Sequence, residues 1–193
     1  MSQTAQEPRS YTYADLLDWP EDVRYELYNG FPVALASPSR RHQEISGALF
    51  LQLGNFLNGK PCRVYAAPLD VRPFASNADA PSEVRTVLQP DLMVVCDRDK
   101  LDDRGIRGAP DLVVEITSKN TKLYDRKIKM SLYESAGVRE YWLIDPDSKT
   151  LEIYTLQDGR YQSVREYAAT AKAPVGVLPG CVIDLQAVFA AQE

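Results

Sequence analysis

The stretch "APDLVVEITSK" runs from Ala109 to Lys119, and nearly the same phrase, "QPDLMVVCD", runs from Gln89 to Asp97. Each opens on Pro-Asp and continues into a short apolar run of strand length. Side chains alternate across a strand, so Asp111, Val113, Glu115 and Thr117 face one way and Leu112, Val114 and Ile116 the other. Glu115 therefore lies mid-element with apolar neighbours on both sides. A carboxylate there is costly unless it is protonated, paired or bound to a metal. Two readings are open: a Glu on an exposed or salt-bridged sheet face, or an acid held inward for chemistry. If the two runs are adjacent strands, Asp91 comes beside Glu115.

The segments around this pair read as a single α+β domain over residues 10–190. "YTYADLLDWP" is a short helix with Thr12 as N-cap and Pro20 as its stop. "VRYELYNGFPVALA" is a pair of strands joined by Asn29-Gly30, a strong hairpin signal. Ser37 and Ser39 precede a helix of about five turns, in which Ile45, Leu49, Leu53, Phe56 and Leu57 recur at helical spacing. Asn58-Gly59 closes it. "CRVYAAPLDVRPF" is strand-like, residues 75–85 form a loop, and a connection rich in Asp and Arg separates the two Pro-Asp runs. A helix from Asn120 to Ala136 ends at Gly137. Antiparallel strands then meander through the turns Pro146-Asp147-Ser148 and Asp158-Gly159, and "DLQAVFA" is a final short helix.

Composition narrows the class. The chain has 193 residues, 45% of them hydrophobic and 25% charged, as in a globular domain with a sizeable core. No apolar run reaches the ~20 residues that cross a bilayer, and "MSQTAQEPRSYTY" lacks the apolar centre of a signal peptide. Cys62, Cys96 and Cys181 have neither the spacing of a metal knuckle nor a disulfide framework. Reduced thiols and a cytoplasmic location are the expectation. The formal net charge of −5 counts modestly against nucleic acid, but its distribution matters more. "SKNTKLYDRKIK", residues 118–129, holds five basic residues and one acid, and "SRRHQ" forms a second basic patch at 39–43.

Glu26, inside "RYELYNG", is a further acid among strand formers. In the basic helix Lys122, Arg126 and Lys129 recur on one face. Several oxygen ligands beside a cation are the equipment of a hard-metal phosphodiesterase. Mg²⁺ takes one or two carboxylates and keeps several waters, while a lysine stabilises developing negative charge.

Taken together and in order, "YELYNG", "SPSRRHQ", "VLQPDLMVVCD", "GAPDLVVEITS", "YDRKIKMSLYESAGVREYWLIDP" and "DGRY" resemble the Uma family of restriction-endonuclease-like proteins. The resemblance spans Tyr11 to about Tyr167. It implies the PD-(D/E)xK nuclease fold, a central mixed β-sheet flanked by helices, here with the antiparallel C-terminal meander. It also implies metal-binding acids at Asp91 and Glu115, with Glu26 as a further acid common in the family. The signature's lysine would fall two residues after Glu115, where this chain has Thr117. In many relatives that lysine sits on a neighbouring helix, and Lys129 matches it. Lys119, on the strand parity of Glu115, competes for the role.

The expected activity is therefore that of an Mg²⁺-dependent DNA endonuclease, with Mn²⁺ as a possible substitute. Asp91, Glu115 and Glu26 would bind the metal and Lys129 would stabilise the pentavalent phosphorus. The alternative is a non-catalytic nucleic-acid-binding or regulatory module on the same fold, because a fold alone does not confer activity. A homodimer is expected, since cutting a duplex requires reaching both strands and two-fold dimers are the commonest oligomers. Five other residues have simpler readings. His42 reads as a core contact near a helix start or, with Arg41, as a phosphate contact, Asp70 as a turn residue or a further metal-side acid, and Asp125 as the i,i+4 partner of Lys129. Tyr133 and Tyr141 read as core aromatics with polar tips.

Overall fold

The computed structural model describes residues 9–190, apart from Glu21, Asn120 and the side chains of Ser163 and Val164. Thr12 caps α1 (Tyr13–Leu17) through a reciprocal hydrogen-bonded box with Asp15. Hairpin β1 (Tyr25–Tyr28) and β2 (Phe31–Ala34) turns through Asn29 and Gly30, both at positive φ, the conformation that a two-residue hairpin turn requires. Ser39 accepts from the His42 amide to start α2 (Arg40–Leu57), which buries Ile45, Leu49, Leu53 and Leu57.

The segment "CRVYAAPLDVRPF", expected as one strand-like stretch, divides about Ala67-Pro68 into β3 (Arg63–Ala66) and β4 (Asp70–Arg72), which join different sheets. A proline cannot donate to a ladder, so the stretch breaks there. The two Pro-Asp runs become β5 (Leu92–Val95) and β8 (Leu112–Ile116). Between them, β6 (Leu101–Asp102) and β7 (Gly105–Arg107) pair with each other, and β7 runs parallel to β4. The charged connection read from the sequence is thus partly strand.

The chain then forms α3 (Lys122–Tyr124), one π-helical turn over Asp125–Lys129, and α4 (Met130–Ala136), ending at left-handed Gly137. The expected start of this helix, Asn120, lies outside the described residues. Strands β9 (Glu140–Asp145), β10 (Thr150–Gln157) and β11 (Arg160–Ala168) make the meander. A small ribbon, β12 (Lys172–Pro174) with β13 (Val182–Asp184), leads into α5 (Leu185–Ala190).

The central sheet has the order β11-β10-β9-β8-β5-β3. Only β8 and β9 run parallel, because helical residues 122–136 cross over between them. Its two faces carry the alternation read from the sequence. Leu112, Val114 and Ile116 pack with α2 and α5 on one face, while Val113 meets Tyr133, Tyr141 and Leu143 on the other. Glu115 shares the second face, beneath the crossover helix.

One expectation fails. Cys62 and Cys96 are not free thiols but a disulfide, and only Cys181 is free among the described residues. They lie 34 positions apart in sequence, and the antiparallel register of Arg63 with Val95 sets them opposite each other on neighbouring strands. No helix among the described residues is long and apolar enough to cross a membrane.

Candidate active site

Antiparallel pairing of β5 with β8 explains why Pro-Asp opens both runs. Each aspartate sits just before its own strand and reaches the far end of the other. Asp91 Oδ2 accepts from the Ile116 amide at 2.7 Å, and Asp111 Oδ2 from the Cys96 amide at 2.7 Å. The two ends differ in what lies around them. Asp111 takes Arg139 at 3.0 Å near the surface. Asp91 opens on a cleft of about 460 Å³ whose walls include the first turn of α2, residues 115–119, Thr121 and the β9–β10 turn.

Glu115 sits on the floor of this cleft, only 4% exposed. Its Oε1 accepts from Lys129 Nζ at 3.0 Å and from the Tyr133 hydroxyl at 3.0 Å. The same ammonium lies 3.0 Å from Glu26 Oε1 and 4.0 Å from Asp125 Oδ1. Glu26 is held from behind: the Gln89 amide donates to Oε1 at 2.8 Å, and the Tyr28 hydroxyl donates to Oε2. The crossover helix brings Asp125 and Lys129 inward together across its π turn. Such turns occur mostly as single insertions and often at functional sites.

Burial pushes the Glu115 carboxyl well above the usual range against the pull of Lys129, and the charges of Asp91, Asp125 and Glu26 add to it. Burial likewise pushes Asp125 up to about 6. Desolvation opposes the charged form of Lys129, but Glu115 and Glu26 outweigh it and hold the amine protonated well above its ordinary value. The centre is therefore one firmly charged ammonium beside two carboxyls, Glu115 and Asp125, that burial disposes toward the neutral form.

The structure brings Glu26, Asp91, Glu115 and Lys129 to one locality, but in two layers. Asp91, Glu115 and Lys129 line the cleft, whereas Glu26 lies behind Lys129, with both oxygens already hydrogen-bonded. Among the described residues no three acids, histidines or cysteines are grouped to hold an ion. Among the described residues the partners of both acids fall on one oxygen each, Asp91 Oδ2 and Glu115 Oε1, which leaves Asp91 Oδ1 and Glu115 Oε2 unengaged. Two carboxylate oxygens on a wet cleft suit a hard cation that keeps most of its waters.

Several secondary readings change. His42 is not a core contact: it lines the cleft, and its Nε2 stands 3.1 Å from Asp91 Oδ2. Its place on the inward face of α2 was visible in the spacing, but its partner was not. Asp70 is the first residue of β4 rather than a turn residue, and accepts from the Tyr13 hydroxyl at 2.8 Å and from Gln89 Nε2 at 2.9 Å. Asp125 is the expected partner of Lys129, yet it is buried and on the cleft. Thr117, at the position of the signature lysine, is buried, while Lys119 is exposed at the cleft mouth. Two other cations of the basic helix are committed. Lys122 Nζ lies 2.6 Å from Asp145, and Arg126 forms a forked pair with Glu152.

Residues 13–186 match the model of the Uma2 family, described as "Putative restriction endonuclease". An uncharacterized protein of Synechocystis sp. is 28% identical over 160 residues, covering 81% of this chain and 80% of that protein. In fold the chain is similar to a crystal structure from Anabaena variabilis titled as "a putative nuclease belonging to DUF820". That match has a TM-score of 0.72 at 20% identity, over 93% of this chain and 98% of the other. The chain belongs to the Uma2 family.

Proposed function

We propose that this Uma2-family chain is a metal-dependent phosphodiesterase of the PD-(D/E)xK type that hydrolyses DNA. The observation that carries the reading is the Lys129–Glu115 pair at 3.0 Å on the floor of a cleft that Asp91 also lines. Asp91 and Glu115 would hold Mg²⁺, or Mn²⁺ in its place, through their unengaged oxygens. The cation, when bound, supplies Lewis acidity to the phosphate and acidity to a coordinated water.

The chain's own residues do the remaining work. Lys129 is kept charged by Glu115 and Glu26, so it presents a fixed cation where negative charge builds on phosphorus. Glu26 is a positioning residue: it anchors Lys129 from beneath and is itself fixed by Gln89 and Tyr28. Tyr133 steadies Glu115 through Oε1 and leaves Oε2 to the cleft. His42 turns Asp91 by holding Oδ2, which leaves Oδ1 for the ion.

Cleavage of a labelled oligodeoxynucleotide in Mg²⁺ or Mn²⁺, wild type against Glu115→Gln, tests the proposal. Cleavage lost in the variant supports it. Metal binding by calorimetry that is identical in wild type, Asp91→Asn and Glu115→Gln would sink it. DNA binding without cleavage by wild type would favour the non-catalytic module.

A further inference from the structure

We infer that the substrate strand enters this cleft unpaired, so that the chain acts on single-stranded DNA or on frayed and flapped ends rather than on an intact duplex. The inference rests on the phosphodiesterase reading of the same cleft and narrows its substrate.

The first observation is depth. Glu115 and Lys129 are buried, and the cleft above them holds about 460 Å³. That lies near the lower end of the roughly 300–1,000 Å³ typical of small-molecule sites. A nucleotide-sized part of one strand fits such a space. The rigid wall of a duplex, with its bases stacked and paired, cannot bring a phosphate to a recessed floor without opening.

The second observation is how the walls are tied. Arg41, in the first turn of α2, reaches Asp147 in the β9–β10 turn at 3.1 Å, joining two sides of the cleft. Above the floor the stretch leading into α2 gives a small or apolar flank, with Leu35, Ala36 and Pro38. Bases can lie against such a flank only if they are exposed, and a duplex does not expose their faces.

The third observation is charge. A duplex binder gains affinity by neutralising many phosphates with lysine and arginine. Here the net charge is −5, and the cations around the site are largely spent internally: Lys122 on Asp145, Arg126 on Glu152, Lys129 on Glu115 and Glu26. Arg24 and Lys119 are the cleft cations with no side-chain partner among the described residues. Two phosphate contacts on a single strand give a salt slope of about −1.4, at roughly 0.7 per phosphate, or about a sevenfold affinity loss between 50 and 200 mM salt. A duplex binder with 6–10 phosphate contacts loses roughly 10³–10⁵ over the same range. A strand that opens freely also removes the need for a second copy to reach the complementary strand, which was the reason to expect a homodimer.

The test uses the full chain and three fluorescein-labelled substrates of equal length: oligo-dT, a blunt duplex and a duplex with a single-stranded flap. Anisotropy with Glu115→Gln in Mg²⁺ reads binding, and gels with wild type read cleavage. Oligo-dT and the flap should bind at least tenfold tighter than the blunt duplex and be cut at least tenfold faster, with a sevenfold salt effect. Equal binding or cleavage of the blunt duplex, or a salt effect near a thousandfold, overturns the inference and leaves the nuclease reading intact. Preference for the single strand without cleavage of any substrate supports the inference and removes the nuclease reading. Binding to none of the three overturns the inference.

Discussion

Replacing Lys129 with Met keeps the length of the side chain and removes the cation that faces Glu26 and Glu115. Those acids are 1% and 4% exposed, so neither can turn to water for compensation. Breaking a buried pair by deleting one partner costs about 3–5 kcal/mol, because the remaining charge stays buried. The loss also depends on pH, and its sign follows from proton binding. Without the ammonium, Glu115 loses the charge that pulls its carboxyl down and burial raises it further, so the folded variant holds up to one more proton than the folded wild type. The unfolded chains titrate near 4.3 alike. Above that pH the extra proton makes the variant's stability fall, relative to wild type, by about 1.4 kcal/mol per unit until the raised carboxyl ionises. Urea unfolding at pH 5.5 and 7.5 should therefore find a deficit of about 3 kcal/mol or more at the higher pH, and one smaller by about 2–3 kcal/mol at the lower. For a chain of this size 3 kcal/mol is roughly 6–12 °C in Tm. The same deficit at both values, or none at pH 7.5, would refute the claim that Lys129 neutralises buried carboxylates.

The two lysines should separate in kinetics: Lys129→Met abolishes Mn²⁺-dependent cleavage with DNA binding largely kept, while Lys119→Ala weakens binding and lowers the salt slope by about 0.7. Asp125→Asn should flatten stability between about pH 4 and 6. The folded carboxyl titrates at about 6, so wild type loses about 3 kcal/mol as pH rises through that window; an unchanged thermal-melt profile would count against it. Asp91→Asn should abolish Mg²⁺ binding measured by calorimetry, whereas His42→Ala, which leaves Oδ2 held by the Ile116 amide alone, should weaken it by an order of magnitude or so, as for other outer partners of metal ligands. Equal loss in the two variants would make His42 more than a positioning residue.

Much of this architecture was written locally. The Asn29-Gly30 hairpin, the Thr12 and Ser39 caps, the Gly137 stop and the turns of the meander each depend on a few neighbouring residues. So did the alternation that sets Glu115 opposite Leu112, Val114 and Ile116, and the repeat of Pro-Asp that suggested two adjacent strands. What only the tertiary structure decided depends on elements distant in sequence. Pairing of β3 with β5 made a disulfide from two cysteines that looked unrelated. Pairing of β4 with β7 turned Asp70 and part of a charged connection into strand. Helical spacing paired Asp125 with Lys129, but that both are buried on the cleft is set by the sheet and hairpin they pack against. Above all, Glu26 was recognisable as an out-of-place acid, but whether it faced the cleft or the back of Lys129 depends on how β1 packs beneath the crossover helix. His42 found Asp91 for the same reason. Periodicity records which way a side chain points along its own element; the partner it meets, and the water it loses, are set by whichever element packs against it.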